Sequence, residues 1–271
     1  MRLRLALLLG VLAAALLVVP GAPAGSKEVY YVSLGDSLAQ GYQPHGGPAS
    51  PESPPGYNQG YADQLFKLVR GRYQQLREVK LGCGGETTTT LRFGGICSYD
   101  EGSQLAEAVA FLQENAGRVA LVTIDIGAND VIHPNGGGVP AIAANLPPIL
   151  AALHAAAPDV PIIGMNYYDP FVAPVWFQTQ SLAALQAEVA QTIGFNTFLE
   201  GIYGAFGMEV ADVEQAFSVT DLTLVNGTPL NVLRSCRWTW ACAGPPVGFD
   251  IHANNEGYGV IAEAFLHELD D

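Results

Sequence analysis

The chain has 271 residues, with 12 Lys and Arg against 26 Asp and Glu, a formal charge of −14. So acidic a surface repels phosphate backbones, and with no basic cluster to offset it the composition excludes a nucleic-acid partner. Lys is scarce and Ala, Gly and Pro are abundant, a bias that says nothing about function.

Met1-Arg2-Leu3-Arg4 is a short basic start, Leu5 to Val19 is an unbroken apolar run, and Ala22-Pro23-Ala24 offers an A-x-A-like cleavage site. Together they read as a secretory signal peptide over residues 1–24. A membrane span needs roughly 20 apolar residues, more than this run supplies, so no stable membrane anchor is expected. No cysteine follows the run, which argues against a lipoprotein. The mature chain is expected to be extracellular, to begin near Gly25, and to carry a charge of −16 once Arg2 and Arg4 are gone. Residues 25–271 lack repeats and low-complexity linkers and fall within the range of a single α/β domain.

The run Val29 to Leu34 is β-branched, aromatic and apolar, and reads as a buried strand ending in Gly35-Asp36-Ser37. A Pro/Gly-rich loop follows, from Pro44 to Gly60. Tyr61 to Val69 is helical, with Leu65, Leu68 and Val69 at helical spacing. Leu76 to Leu81 is a second strand, leading into Gly82-Cys83-Gly84-Gly85-Glu86. A helix is expected from Gln104 to Gln113, then the most strand-like run in the chain, Arg118 to Ile126, which ends in Gly127-Ala128-Asn129-Asp130. Ala141 to Ala157 is helical, with a break or kink at Pro147-Pro148. Val160 to Met165 is a fourth strand, Gln178 to Ile202 a long helix weakened at Gly194, and Met208 to Val213 a fifth strand. Thr220 to Gly248 reads as loop, with a turn at Asn226-Gly227. Asn254 to Leu269 closes the chain as a helix. Strands alternating with helices predict a three-layer α/β/α sandwich around a parallel five-stranded sheet.

Four cysteines allow three pairings. Both local pairs lie in loop-like segments and an exported setting permits disulfides, so Cys83–Cys97 and Cys236–Cys242 are expected. Zinc fails on spacing, because neither pair shows a C-x₂₋₄-C pattern. The bridges would clamp loops near the site.

Ligands bind at the carboxyl ends of strands in open α/β sheets, and Ser37 sits at such an end. Alone it is as good a helix cap as a nucleophile. A nucleophilic serine needs a base, and His252, in the loop before the last helix, is placed to supply it. Acyl transfer also needs donors for the oxyanion. The candidates are the backbone N–H of Ser37, the backbone N–H of Gly85 and the side-chain amide of Asn129, from three strand ends. Asp36 and Asp130 are expected to brace their turns. His133 lies just past Asp130 and reads as a solvated loop residue. Tyr167, Tyr168, Phe171, Trp176, Trp238 and Trp240 are candidates for an apolar acyl pocket, or for ordinary core.

Gly35-Asp36-Ser37-Leu38, Gly84-Gly85-Glu86-Thr87, Gly127-Ala128-Asn129-Asp130 and Asp250-Ile251-His252 occur in that order. The set resembles the GDSL/SGNH hydrolases, a family of esterases and lipases, across essentially the whole mature chain. The four letters of the second name fall on Ser37, Gly85, Asn129 and His252. The resemblance implies a flavodoxin-like sandwich, no metal or organic cofactor, Ser37 as nucleophile and His252 as base then acid. The family places an aspartate three residues before the histidine. Here that place holds Phe249, and the aspartate is Asp250, two before. Either Asp250 reaches the ring from its shifted position, or a backbone carbonyl accepts the Nδ1 proton and leaves a dyad. The expectation is a secreted, monomeric serine esterase or lipase acting on small-molecule or lipid esters with apolar acyl groups. The alternatives are a carbohydrate acetyl esterase and a non-catalytic binding module on the same fold.

Overall fold

A computed structural model describes residues 27–44 and 59–270. The expected leader, and all but the ends of the Pro44–Gly60 loop, lie outside the described residues.

β1 (Val29–Gly35) feeds α1 (Ser37–Gln40), then α2 (Tyr61–Val69) and β2 (Leu76–Lys80). α3 (Thr88–Phe93) and α4 (Gln104–Glu114) precede β3 (Val119–Asp125), which runs into α5 (Ala128–Ile132) and α6 (Gly138–Ala156). β4 (Ile162–Met165) leads to α7 (Val172–Thr179) and α8 (Leu182–Ala205), and β5 (Val210–Ala211) to α9 (Val213–Ala216). A hairpin of β6 (Leu224–Val225) and β7 (Thr228–Pro229) comes before α10 (Leu230–Trp238) and α11 (Asn255–Glu268).

The first five strands form one parallel sheet in the order β2-β1-β3-β4-β5. This is the expected flavodoxin-like arrangement. The strand order reverses between β1 and β3, and the crevice above that point is where such sheets bind ligands. On β1 and β3, consecutive residues from Tyr31 to Leu34 and from Leu121 to Asp125 are buried. Helices cover both faces of these strands, which is why they read as continuous apolar runs without alternation. On one face α2 packs on α11, with Tyr61 stacked on Phe265 at 4.9 Å. The opposite layer joins α3, α4 and α6, and α8 runs beside α6 and α7.

Several expectations need correction. The buried stripe of α2 is Tyr61, Leu65 and Val69, while Leu68 is exposed. α6 continues through Pro147 and Pro148 without a break. The carbonyls that lose their donors belong to Ala143 and Ala144, which face solvent, while Ile142, Leu146, Ile149 and Leu150 anchor the other side. The helix expected over Gln178 to Ile202 is two helices. Gln180 is left-handed at φ 48°, and Ser181 caps α8 by accepting the Ala184 N–H at 3.2 Å. The fifth strand shrinks to two residues. The Thr220–Gly248 loop contains α10, which Pro229 starts without a capping side chain, so no start signal marked it. Asn226 and Gly227 form the expected two-residue hairpin turn, with φ of 52° and 85°.

Candidate active site

β1 delivers Ser37 through a turn that only glycine permits. Gly35 has φ +135°, and a Cβ there would meet the Asp125 main-chain oxygen at 2.1 Å. Asp36 then caps α1, its Oδ1 accepting the Leu38 N–H at 2.9 Å. Gln104 on α4 grips the turn from below, accepting the Gly35 N–H at 2.6 Å and donating to the Gly35 carbonyl at 3.0 Å. Ser37 is thereby the first residue of a helix whose start is fixed on three sides. Burial pushes the Asp36 carboxyl up, and Asp125 next to it is pushed well up by burial and by the Asp36 charge.

His252 meets this turn from the other end of the chain. Its Nε2 lies 2.8 Å from Ser37 Oγ, and its Nδ1 lies 2.7 Å from Asp250 Oδ1. The displaced aspartate therefore reaches the ring. A carboxylate only accepts, so the imidazole proton sits on Nδ1 and Nε2 is left to accept from the serine hydroxyl. The loop is well held. Asp250 Oδ1 also accepts the His252 backbone N–H at 2.9 Å, and Tyr168 donates to the Ile251 carbonyl at 2.8 Å. Trp240 donates its backbone N–H to the His252 carbonyl at 2.9 Å, and Trp240 lies within the segment closed by the Cys236–Cys242 disulfide. The ring itself rests against Tyr42, with centroids 4.4 Å apart.

The third component comes from β2 and β3. Gly85, at φ +82°, lies in the loop after β2 that the Cys83–Cys97 disulfide clamps. Asn129, on α5 just past β3, donates one amide N–H to the Glu86 carbonyl at 2.9 Å. That bond fixes the amide and leaves its second N–H for another acceptor. Asp130 braces the same region, taking the Thr88 N–H at 2.8 Å and the Thr88 hydroxyl at 2.5 Å. Asp36 and Asp130 thus hold their turns as expected. Burial pushes the Glu86 carboxyl up to about 7. Ser37, Gly84, Gly85, Asn129 and His252 all border one cavity. Exposed His133 stands at its edge.

A second cavity, of about 540 Å³, is also bordered by Ser37, Asn129 and His252. Of the aromatic candidates, Tyr167, Tyr168 and Phe171 line it, while Trp176, Trp238 and Trp240 do not. Its remaining apolar wall comes from residues the sequence did not single out: Val131 and Ile132 on α5, Val139 on α6, and Phe195 and Phe198 on α8. The three-residue spacing of Phe195 and Phe198 was the available signal. Among the described residues, the one grouping with metal-ligand geometry is Cys83, Glu86 and Cys97, and its sulfurs are joined in a disulfide.

A hydroxyl, an imidazole and a carboxylate in line, beside clustered N–H donors and an apolar cavity, form an arrangement suited to acyl transfer. The sequence matches the GDSL-like lipase/acylhydrolase family over residues 33–260, from β1 into α11. The chain belongs to that family. It is a carboxylic ester hydrolase of the GDSL type. No curated protein matches the sequence. Solved structures share the fold at low identity. An acetylxylan esterase from Geobacillus stearothermophilus aligns with a TM-score of 0.58 and 16% identity, over 90% of this chain and 94% of that one. A putative GDSL-like lipase from Parabacteroides merdae gives 0.57 and 15%, over 89% and 95%. A Bacillus subtilis protein gives 0.57 and 13%, over 90% of this chain and 56% of its own.

Proposed function

We propose that this GDSL-type hydrolase is a secreted, monomeric serine esterase or lipase with a single catalytic domain and a preference for apolar acyl groups. The observation that carries the reading is the line from Asp250 through His252 to Ser37 Oγ, with contacts of 2.7 and 2.8 Å, at the mouth of an apolar cavity. His252 takes the Ser37 proton as the oxygen attacks the ester carbonyl. The N–H groups of Ser37 and Gly85 and the Asn129 amide receive the oxyanion. Collapse expels the alcohol with the proton from His252, and water then releases the acyl group by the same route. Asp250 holds the imidazole's tautomer and stabilises the imidazolium. The wall of Phe195, Phe198, Ile132 and Val139 supports an acyl chain longer than acetyl. The basic-then-apolar start and the two disulfides support export.

Intact mass after exposure to a fluorophosphonate tests the chemistry. One adduct on the wild type and none on Ser37→Ala is the expected result. No adduct on either moves the non-catalytic reading ahead. Hydrolysis rates across acyl lengths test the preference, with medium-chain esters expected to exceed acetylated sugars. Comparable rates on both would refute it.

A further inference from the structure

The two backbone donors assigned to the oxyanion sit on separate elements, Ser37 at the start of α1 and Gly85 in the turn after β2. They can serve one oxygen only if something fixes the distance between those elements. The turn runs from Cys83 to Glu86, closed by the Glu86 N–H donating to the Cys83 carbonyl at 3.1 Å, with Gly84 and Gly85 at its centre. Its first end is pinned to β1 by the Cys83 N–H, which donates to the Gly35 carbonyl at 3.1 Å. Its last end is pinned to α5 by the bond from Asn129 to the Glu86 carbonyl. The centre is two adjacent glycines, which have no side chains to lock it by packing.

Gln40 reaches that centre. It ends α1, three residues after Ser37 and so on the same face, one turn on. Its backbone is set by its own N–H, which donates to the Asp36 carbonyl at 3.0 Å, and by the left-handed Gly41 that follows at φ 78°. Its side-chain Oε1 accepts the Gly84 N–H at 3.1 Å. Because the partner is a donor, the accepting atom is the amide oxygen, and the orientation of the amide is settled. The approach is close enough to dictate the residue it meets: a Cβ on Gly84 would stand 2.9 Å from Gln40 Oε1 and 3.9 Å from Ser37 Cβ. Gln40, Ser37, Gly84 and Gly85 border the same cavity as Asn129 and His252.

We propose that Gln40 is a positioning residue of the reaction, whose side-chain carbonyl ties the glycine turn to the nucleophile's helix and so sets the Gly85 N–H where it meets the same oxyanion as the Ser37 N–H. The proposal rests on the reading of Ser37 as nucleophile and Gly85 as donor. In this role Gln40 needs no contact with a reacting atom. It acts through the backbone of Gly84, whose N–H it holds and whose carbonyl carbon is bonded to the Gly85 nitrogen. The effect belongs to the transition state, because charge on the ester oxygen develops only there.

Gln40→Met keeps the length of the side chain and loses the amide carbonyl. With p-nitrophenyl hexanoate its kcat is expected to fall about ten- to a hundredfold while KM stays within about threefold, since a group displaced by about 1 Å costs on that order. Inhibition by an alkyl trifluoromethyl ketone reads the same donors: Ser37 Oγ adds to the ketone carbon, His252 takes the serine proton, and the ketone oxygen becomes the oxyanion. Its affinity is expected to weaken by a similar factor. Gln40→Ala is the second variant, and either one that folds decides. A merely structural role would lower the melting temperature and leave kcat and the ketone affinity of the folded enzyme as they were, and that result would overturn the proposal. So would rapid hydrogen exchange at the Gly84 amide of the wild type, where at least about tenfold protection relative to an unstructured glycine is expected. The exchange measurement needs no substrate. A wild type that takes no fluorophosphonate overturns the serine reading, whereas a labelled wild type with Gln40→Met unimpaired overturns this inference alone.

Discussion

Asp250 shows how a one-residue displacement can preserve a contact. Its Oδ1 takes the backbone N–H of His252 two residues on, folding the segment into a tight Asx turn, and the same oxygen then faces Nδ1 of the ring at 2.7 Å. An aspartate two residues before the histidine is within reach because the turn is that tight. Phe249, at the family's usual aspartate position, is 49% exposed and leans toward Phe171, with ring centroids 6.1 Å apart. Replacing Asp250 by Ala is expected to lower kcat by about 10³–10⁴-fold, as removal of the orienting acid does in other triads. Steady-state kinetics on the purified variant give the answer, and a loss under about tenfold would remove Asp250 from the triad.

Among the elements, the loop after β2 depends most on a covalent clamp. It carries Gly85, is bonded at Cys83 to Cys97 on the far side of α3, and is tied to α5 through the Asn129–Glu86 hydrogen bond. Replacing both cysteines by serine is expected to cost about 2–3 kcal/mol in urea denaturation on the loop-entropy account. A several-fold fall in kcat should accompany it, because the Gly85 N–H loses its fixed position. Unchanged kcat in the folded variant would show that the clamp serves stability alone. The strand ends at Ser37, Gly85 and Asn129 were legible in the sequence because glycine and Asn-Asp punctuate them after apolar runs. The cavity wall was not. Phe195, Phe198 and Val139 sit at ordinary helical spacing, and periodicity reports that a side chain is covered without saying whether protein or substrate covers it. The α7–α8 junction was missed for a different reason: Ser181 is one hydroxyl within a long helix-favouring run, and its role as a cap needs the left-handed Gln180 to be seen.

For the whole molecule, the buried carboxyl groups act in one direction. Burial first, with the Asp63 charge adding to it, pushes Glu78 on β2 from 4.5 to about 7, and burial with the Asp36 charge does the same to Glu86. Asp130 and Asp169 shift upward too, again chiefly by burial. The folded chain holds protons that the unfolded chain releases near 4.5, so the stability these groups contribute is present below that pH and is lost as pH rises through about 7. Melting temperature should therefore fall between about pH 5 and about pH 8, and Glu86→Gln should flatten part of the slope by a few degrees. A slope unchanged by that substitution would place the titration elsewhere. The parallel order of the sheet was readable from alternating runs, whereas these acids were not, since their shifts come from neighbours distant in sequence. Distance along the chain has a further effect at the catalytic line, where Ser37 and His252 touch although 215 positions separate them. On the proposed reading, nucleophile and base are together only once the segment leading into α11 has docked on the turn after β1. A chain clipped before His252 is therefore expected to be silent toward esters, and turnover would report that the two ends of the chain have met.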